Sequence, residues 1–136
     1  MKISLIHPSR GRADKSFSIT KKWIENSGVE LELVLSLDKS DRSINDYYLN
    51  YLDVAGIMAV NDNTSVVEAT NKAAERATGD ILIYLSDDFD CPPNWGLSVL
   101  KEFEGEDRPL LLKVHDNLQD FNARVLTIPI MNRLSR

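Results

Sequence analysis

The chain has 136 residues, 43% of them hydrophobic and 27% charged, which is enough for one compact domain with a buried core and is the balance of an ordinary globular protein. A net charge of −5 excludes a broad phosphate-backbone footprint for DNA or RNA, because the early basic residues Arg10, Arg12, Lys21 and Lys22 form no continuous stripe. One cysteine, Cys91, excludes an internal disulfide and a thiolate zinc site, so any metal must be held by oxygen ligands.

Residues 2–7 read as a short buried strand stopped by Pro8 and the turn-prone Ser9-Arg10-Gly11. A helix follows, with Phe17, Thr20, Trp23, Ile24 and Ser27 at helical spacing, Asp14 as its expected N-cap and Gly28 as its stop. Residues 29–37 alternate, placing Leu31, Leu33, Leu35 and Leu37 on one face of a second strand that ends at Asp38. Residues 38–53 are polar with Tyr47, Tyr48 and Tyr51 interspersed, and read as a loop with one short helix.

Residues 56–60 form a third strand ending at Asn61-Asp62-Asn63, and Ser65-Val66-Val67-Glu68 is a capping-box pattern opening the clearest helix, with Val66, Thr70, Ala73 and Ala77 as its expected face. Gly79 ends that helix. Residues 81–85 are a uniformly apolar run of the kind found in strands covered on both faces. A further helix is expected over 94–104, with Trp95 in the core, and late strands over 110–114 and 124–130. Strands alternating with helices predict βαβ units and a mostly parallel central sheet flanked by helices. No leader peptide or membrane helix is legible, so a soluble cytoplasmic protein is expected, and Asn63-Thr64-Ser65 is then a chance glycosylation match.

In open α/β sheets ligands bind beyond the carboxyl ends of the strands. Here those positions are acidic: Asp38 and Asp41 after the second strand, Asp62 after the third, and Asp87-Asp88-Phe89-Asp90 after the fourth. Like charges gathered on one edge repel, and a hard divalent cation gives a reason to gather them, against the alternative of ordinary solvated turn formers.

The segment 73–88, Ala-Ala-Glu-Arg-Ala-Thr-Gly-Asp-Ile-Leu-Ile-Tyr-Leu-Ser-Asp-Asp, resembles the stretch of family 2 glycosyltransferases in which a helix, a Gly turn, an apolar strand and an Asp-x-Asp-type motif follow one another. Residues 3–12 resemble the family's first strand and proline turn, and 37–41 its second-strand acidic turn, with Leu37 where an aspartate is usual.

The resemblance implies a Rossmann-like fold of the GT-A type, a single nucleotide-sugar-binding domain over 1–136 with the acceptor-binding half short or missing. Pro8, Ser9, Arg10, Asp38, Asn71 and Asp87 would contact the nucleotide sugar, and Mn²⁺ or Mg²⁺ would sit on Asp88 and Asp90. The motif register stays open between Asp88 with Asp90 and Asp87 with Asp88; Asp88 belongs to both. The implied activity is transfer of a sugar from a nucleotide-diphospho-sugar donor to a hydroxyl of an acceptor the sequence does not identify.

Asp116 and Asp120 are the late carboxylates available as a general base, without a spacing that marks either. Alternatives are a non-catalytic donor-binding module and a nucleotidyltransferase, although the first loop is poor in glycine for the latter. A receiver-type domain is rejected, since Pro8-Ser9 stands where its acidic pair would be, and no Walker loop or dinucleotide fingerprint is present. Apolar residues over 110–112 and 125–131 are expected to be covered by self-association or by a partner subunit.

Overall fold

The structure is a computed structural model that describes residues 1–112, 114 and 128–135. Its strands are β1 (Ile3–Pro8), β2 (Leu31–Asp38), β3 (Ile57–Asn61), β4 (Ile81–Tyr84), β5 (Leu111–Leu112) and β6 (Ile130–Asn132), and its helices are α1 (Ala13–Glu25), α2 (Ile44–Asn50), α3 (Val66–Arg76) and α4 (Trp95–Phe103). The sheet order is β3-β2-β1-β4-β6-β5. The first four strands are mutually parallel, and β6 runs antiparallel between β4 and β5. The candidate bases Asp116 and Asp120, and most of the expected strand over 124–130, lie outside the described residues.

The strand pleat divides the core. Odd-numbered Ile3, Leu5, Leu33, Leu35, Leu37, Ile81 and Ile83 face a cluster containing Trp23 of α1, Tyr47 of α2 and Trp95, Val99 and Phe103 of α4. Even-numbered Ile6, Val34 and Leu82 face Ala73 and Ala77 of α3. Trp95 is therefore a core residue, its ring 5.0 Å from that of Trp23 and its Nε1–H donating to the Trp23 carbonyl at 2.8 Å.

Several boundaries differ from the sequence expectation. Arg12, not Asp14, precedes the first turn of α1, which has no side-chain cap; Asp14 lies inside that turn and accepts from Asn50 Nδ2 at 2.9 Å. Gly28 is two residues beyond the C-cap Asn26, at φ +71°, where a Cβ would press on Leu97 and Asn94.

Ser65 caps α3 by accepting from the Glu68 N–H at 3.1 Å, but the Glu68 carboxylate reaches back to Thr64 N and Oγ1 rather than to Ser65. The buried face of α3 is Ala69 and Ala73, continued by the C-cap residue Ala77, whereas Val66 is 57% exposed. Small side chains win this face because α3 lies close over β1 and β2: Ser36 Oγ donates to the Ala69 carbonyl at 2.9 Å. A larger residue there would hold the helix off.

Candidate functional site

Parallel strands β1, β2, β3 and β4 all end on one edge, and the chain leaving them encloses a cleft of about 310 Å³. Pro8, Ser9 and Arg10 enter it from β1, Asp38 from β2, Asn63 through Val66 from the β3–α3 turn, and Ser86 and Asp87 from beyond β4. Of the expected donor residues, Pro8, Ser9, Arg10, Asp38 and Asp87 thus meet in one place. Asn71 does not; it lines a separate apolar pocket between α3 and the β4–β6 part of the sheet, beside Leu82 and Met131.

Asp38 is held rigidly. Its Oδ1 accepts from the backbone and hydroxyl of Ser40 at 2.9 and 2.6 Å, its Oδ2 accepts from the Asn63 N–H at 3.3 Å, and the Arg10 guanidinium stands 3.6 Å away. The Ser40 bonds, first through the hydroxyl, hold its carboxyl below the usual range. Among the described residues, Asn63 Oδ1 at the same wall is a buried acceptor without a hydrogen-bond partner.

The cleft floor rests on a polar network. Asp87 is buried and accepts from His7 Nε2 at 2.6 Å and from Ser9 Oγ at 3.0 Å. His7 is fully buried, with Nδ1 2.7 Å from Thr20 Oγ1, which is 3.0 Å from Tyr51 OH; that phenol lies 2.7 Å from Ser16 Oγ. Ser9 Oγ also lies 2.7 Å from Tyr47 OH, which accepts from the Arg12 N–H at 3.0 Å. Burial raises both phenols, pushing Tyr51 up to about 12. Seven side chains from β1, α1, α2 and the β4 turn are so joined, and each strengthens its neighbours in a water-poor interior.

The three aspartates after β4 diverge. Asp87 turns inward, while Asp88 is exposed and pairs with Lys15 Nζ at 2.5 Å and Arg12 Nη1 at 3.5 Å. Asp90 pairs with Lys22 Nζ at 2.5 Å and accepts from the Cys91 N–H at 2.8 Å. Hydrogen bonds from Lys15 and Lys22 respectively hold both exposed carboxyls low. Lys15 and Lys22 are seven residues apart on α1, about 10 Å along its axis at 1.5 Å per residue, so Asp88 and Asp90 do not converge on one point.

Among the described residues no group of three or more His, Cys, Asp or Glu side chains gathers around a common centre. A closed protein cage is not required, because Mg²⁺ and related hard ions are held by one or two carboxylates when substrate phosphates and water complete the shell. Asp88 fits that limited role, being exposed and bonded to Arg12, which lines the cleft. Cys91 is buried and its thiol is pushed up chiefly by burial, as suits a packing residue rather than a nucleophile.

Sequence reading missed most of the network. A signal was present: Ser16 and Thr20 share the buried stripe of α1 with Ala13 and Trp23, and Tyr47 and Tyr51 stand four residues apart. Polar groups on a buried stripe must find partners. What periodicity could not supply was the identity of those partners, which come from elements 13 to 80 residues away.

Comparison with protein-family models gives no match, and comparison with curated proteins gives none either. Solved structures do match. Glucosyl-3-phosphoglycerate synthase from Mycobacterium tuberculosis, in complex with Mn²⁺, uridine diphosphate and phosphoglyceric acid, is 13% identical with a TM-score of 0.60, over 82% of this chain and 42% of that one.

A mannosyltransferase from Pyrobaculum calidifontis in complex with GDP-Man and Mn²⁺ is 18% identical with a TM-score of 0.57, over 83% and 36%. Residues 1–349 of TarS from S. aureus are 16% identical with a TM-score of 0.61, over 93% and 38%. The fold is that of the GT-A glycosyltransferases, and the chain spans about two fifths of the length of these structures.

Proposed function

We propose that this chain is the donor-binding portion of a metal-dependent glycosyltransferase, taking a nucleotide-diphospho-sugar into the cleft at the ends of β1, β2 and β4. The observation that carries this reading is the meeting of Pro8, Ser9, Arg10, Asp38 and Asp87 around one cavity, at the edge where open α/β sheets bind ligands, in a fold shared with enzymes whose structures hold nucleotides and Mn²⁺. On this reading Asp38, fixed by Ser40 and Asn63, presents a pre-set carboxylate to the nucleoside. Such a group orients a ligand without first paying an ordering cost of its own.

Asp87, clamped by His7 and Ser9, fixes the turn that carries Asp88, and Asp88 is the protein's carboxylate for Mn²⁺ or Mg²⁺. When bound, the ion would act as a Lewis acid on the departing nucleoside diphosphate. Asp116 and Asp120, the carboxylates available as a general base, lie outside the described residues, and the match covers 36 to 42% of the length of the three structures.

The test is a thermal-shift series with the diphosphates of uridine, guanosine, cytidine and thymidine, with and without Mn²⁺, repeated on Asp88→Ala. A ligand at tenfold its Kd stabilises by about 1.4 kcal/mol, roughly 4 °C for a domain of this size. At least one nucleotide should give such a shift, the Mn²⁺-dependent part of which disappears in the variant. No response to any of the four sinks the proposal. Release of free nucleotide from the corresponding nucleotide sugar then separates an enzyme from a binding module.

A further inference from the structure

Charge is unevenly placed around the mouth of the cleft. The chain is acidic overall, yet Arg10 and Arg12 stand at the cleft and Lys15, which borders the adjoining pocket on the other side of Arg12, shares Asp88 with Arg12; each of the three is more than half exposed. Arg10 and Arg12 line the cavity. Arg12 immediately precedes α1 and Lys15 lies in its first turn, and residues three apart on a helix share a side, so both reach the same partner, Asp88. One carboxylate therefore serves two cations. The other nearby acid of this turn, Asp14, is directed to Asn50 and does not compensate them.

On the donor reading above, we propose that Arg12 and Lys15 form the diphosphate-binding arm of this cleft, and that Asp88 holds them when the cleft is empty and releases them when it takes a divalent cation. The ligand class is a nucleoside diphosphate, recognised here through its phosphates rather than its base. Guanidinium presents a planar fork suited to two phosphate oxygens, and the lysine ammonium adds a mobile point charge. Exposed ion pairs such as Lys15–Asp88 are weak, so exchanging a carboxylate for a phosphate as partner is not costly. The uncapped first turn of α1 places its positive end in the same field.

This arrangement gives Asp88 two opposed effects. Without metal it competes with phosphate for Arg12 and Lys15; with metal it would hold the ion and leave both cations to the phosphates. The experiment is calorimetric titration of the full chain with uridine diphosphate and guanosine diphosphate, in EDTA and in Mn²⁺, for the wild type, Arg12→Ala, Lys15→Ala and Asp88→Asn. Arg12→Gln and Lys15→Gln repeat the test with the stems largely kept, and circular dichroism checks folding of each variant.

Each cation variant should weaken nucleotide binding about fivefold or more in both buffers, on the scale of one lost charge-assisted hydrogen bond. Asp88→Asn should bind severalfold more tightly than wild type in EDTA and gain nothing from Mn²⁺. Cation variants that bind like wild type, or Asp88→Asn that binds more weakly in EDTA, overturn the arm while leaving the donor reading in place. A wild type that binds neither nucleotide in either buffer removes the donor reading and the arm with it.

Discussion

Replacing His7 by leucine tests whether the floor of the cleft is held electrostatically. The imidazole is fully buried and supplies a 2.6 Å hydrogen bond to the Asp87 carboxylate and a 2.7 Å contact to Thr20 Oγ1. Leucine fills much of the space but leaves Asp87 Oδ1 desolvated without a partner, while Oδ2 keeps Ser9. A hydrogen bond to a carboxyl group contributes about 1 to 3 kcal/mol, and leaving a buried polar group without its partner costs about 1 to 3 more. With Ser9 retained, the two terms together put the loss for His7→Leu at about 3 kcal/mol out of the 5 to 15 typical of a domain.

Urea unfolding followed by the fluorescence of Trp23 and Trp95, both buried against each other, measures it directly. His7→Gln carries an amide that can reach Asp87 but not Thr20 as well, and should recover about half of the loss. The double variant His7→Leu with Asp87→Leu removes both partners, so a thermodynamic cycle should show a coupling of about 2 kcal/mol or more. A cost below about 1 kcal/mol for His7→Leu, or additive single losses, would refute the reasoning, because Asp87 would then not depend on His7 for its hydrogen bonding.

Other outcomes follow from the geometry. Glu32 accepts from Ser4 Oγ at 2.5 Å, from Thr78 N and Oγ1 at 2.7 Å each, and from Lys2 Nζ at 3.3 Å. Burial raises its carboxyl, but these bonds outweigh it and hold the group down to about 2 from a usual 4.5. Since the folded value is the lowered one, this stabilisation is complete above about 4.5 and lost as pH falls toward about 2. Glu32→Gln should flatten the pH dependence of unfolding in that window by about 1 to 2 kcal/mol, allowing for solvent screening at the sheet edge.

Gly79→Ala should destabilise by about 1 to 3 kcal/mol in the same urea assay, because a Cβ there lies 2.8 Å from Ser4 N and 2.9 Å from the Lys2 carbonyl, both backbone atoms. Asn71→Ala should leave nucleotide affinity unchanged while Asp38→Ala weakens it, measured by titration, since Asp38 lines the cleft and Asn71 does not. If the apolar pocket beside Leu82 and Met131 is an association surface, Val67→Asp at its 64% exposed rim should shift a concentrated sample toward monomer in sedimentation.

Legibility in the sequence tracked how local the cause was. The apolar run 81–85 announced a strand covered on both faces, and in β4 Ile81 and Ile83 are buried in one core layer while Leu82 is buried in the other. Ser65 announced the start of α3 through a bond to its own chain three residues on. The helix face was misjudged because periodicity scores valine above alanine, whereas the close approach of α3 to Ser36 admits only small groups and turns Val66 outward.

In the site, positions at strand ends were legible for Pro8, Ser9, Arg10, Asp38 and Asp87, since topology alone brings them to one edge. Roles within the acidic run were not. Three aspartates in four residues look equivalent in a string of letters, and only the partners His7, Lys15 and Lys22, one buried and two on the flank of α1, set them apart.

The methyl-sized face of α3 has a bearing on how such a cleft can change. Ala69 is buried and bonded to Ser36 of the sheet through its carbonyl, and it also lines the cavity, while the N-terminal end of the same helix supplies Ser65 and Val66 to the wall. Width of the cavity is therefore set from behind, by how closely the helix rides on Ser36. Exchanging Ala73, which packs on the sheet but does not line the cavity, for a bulkier residue would act as a shim, lifting the wall without touching a group that lines the cleft. Selection for a larger or smaller ligand has in this helix an adjustment that leaves the binding chemistry intact.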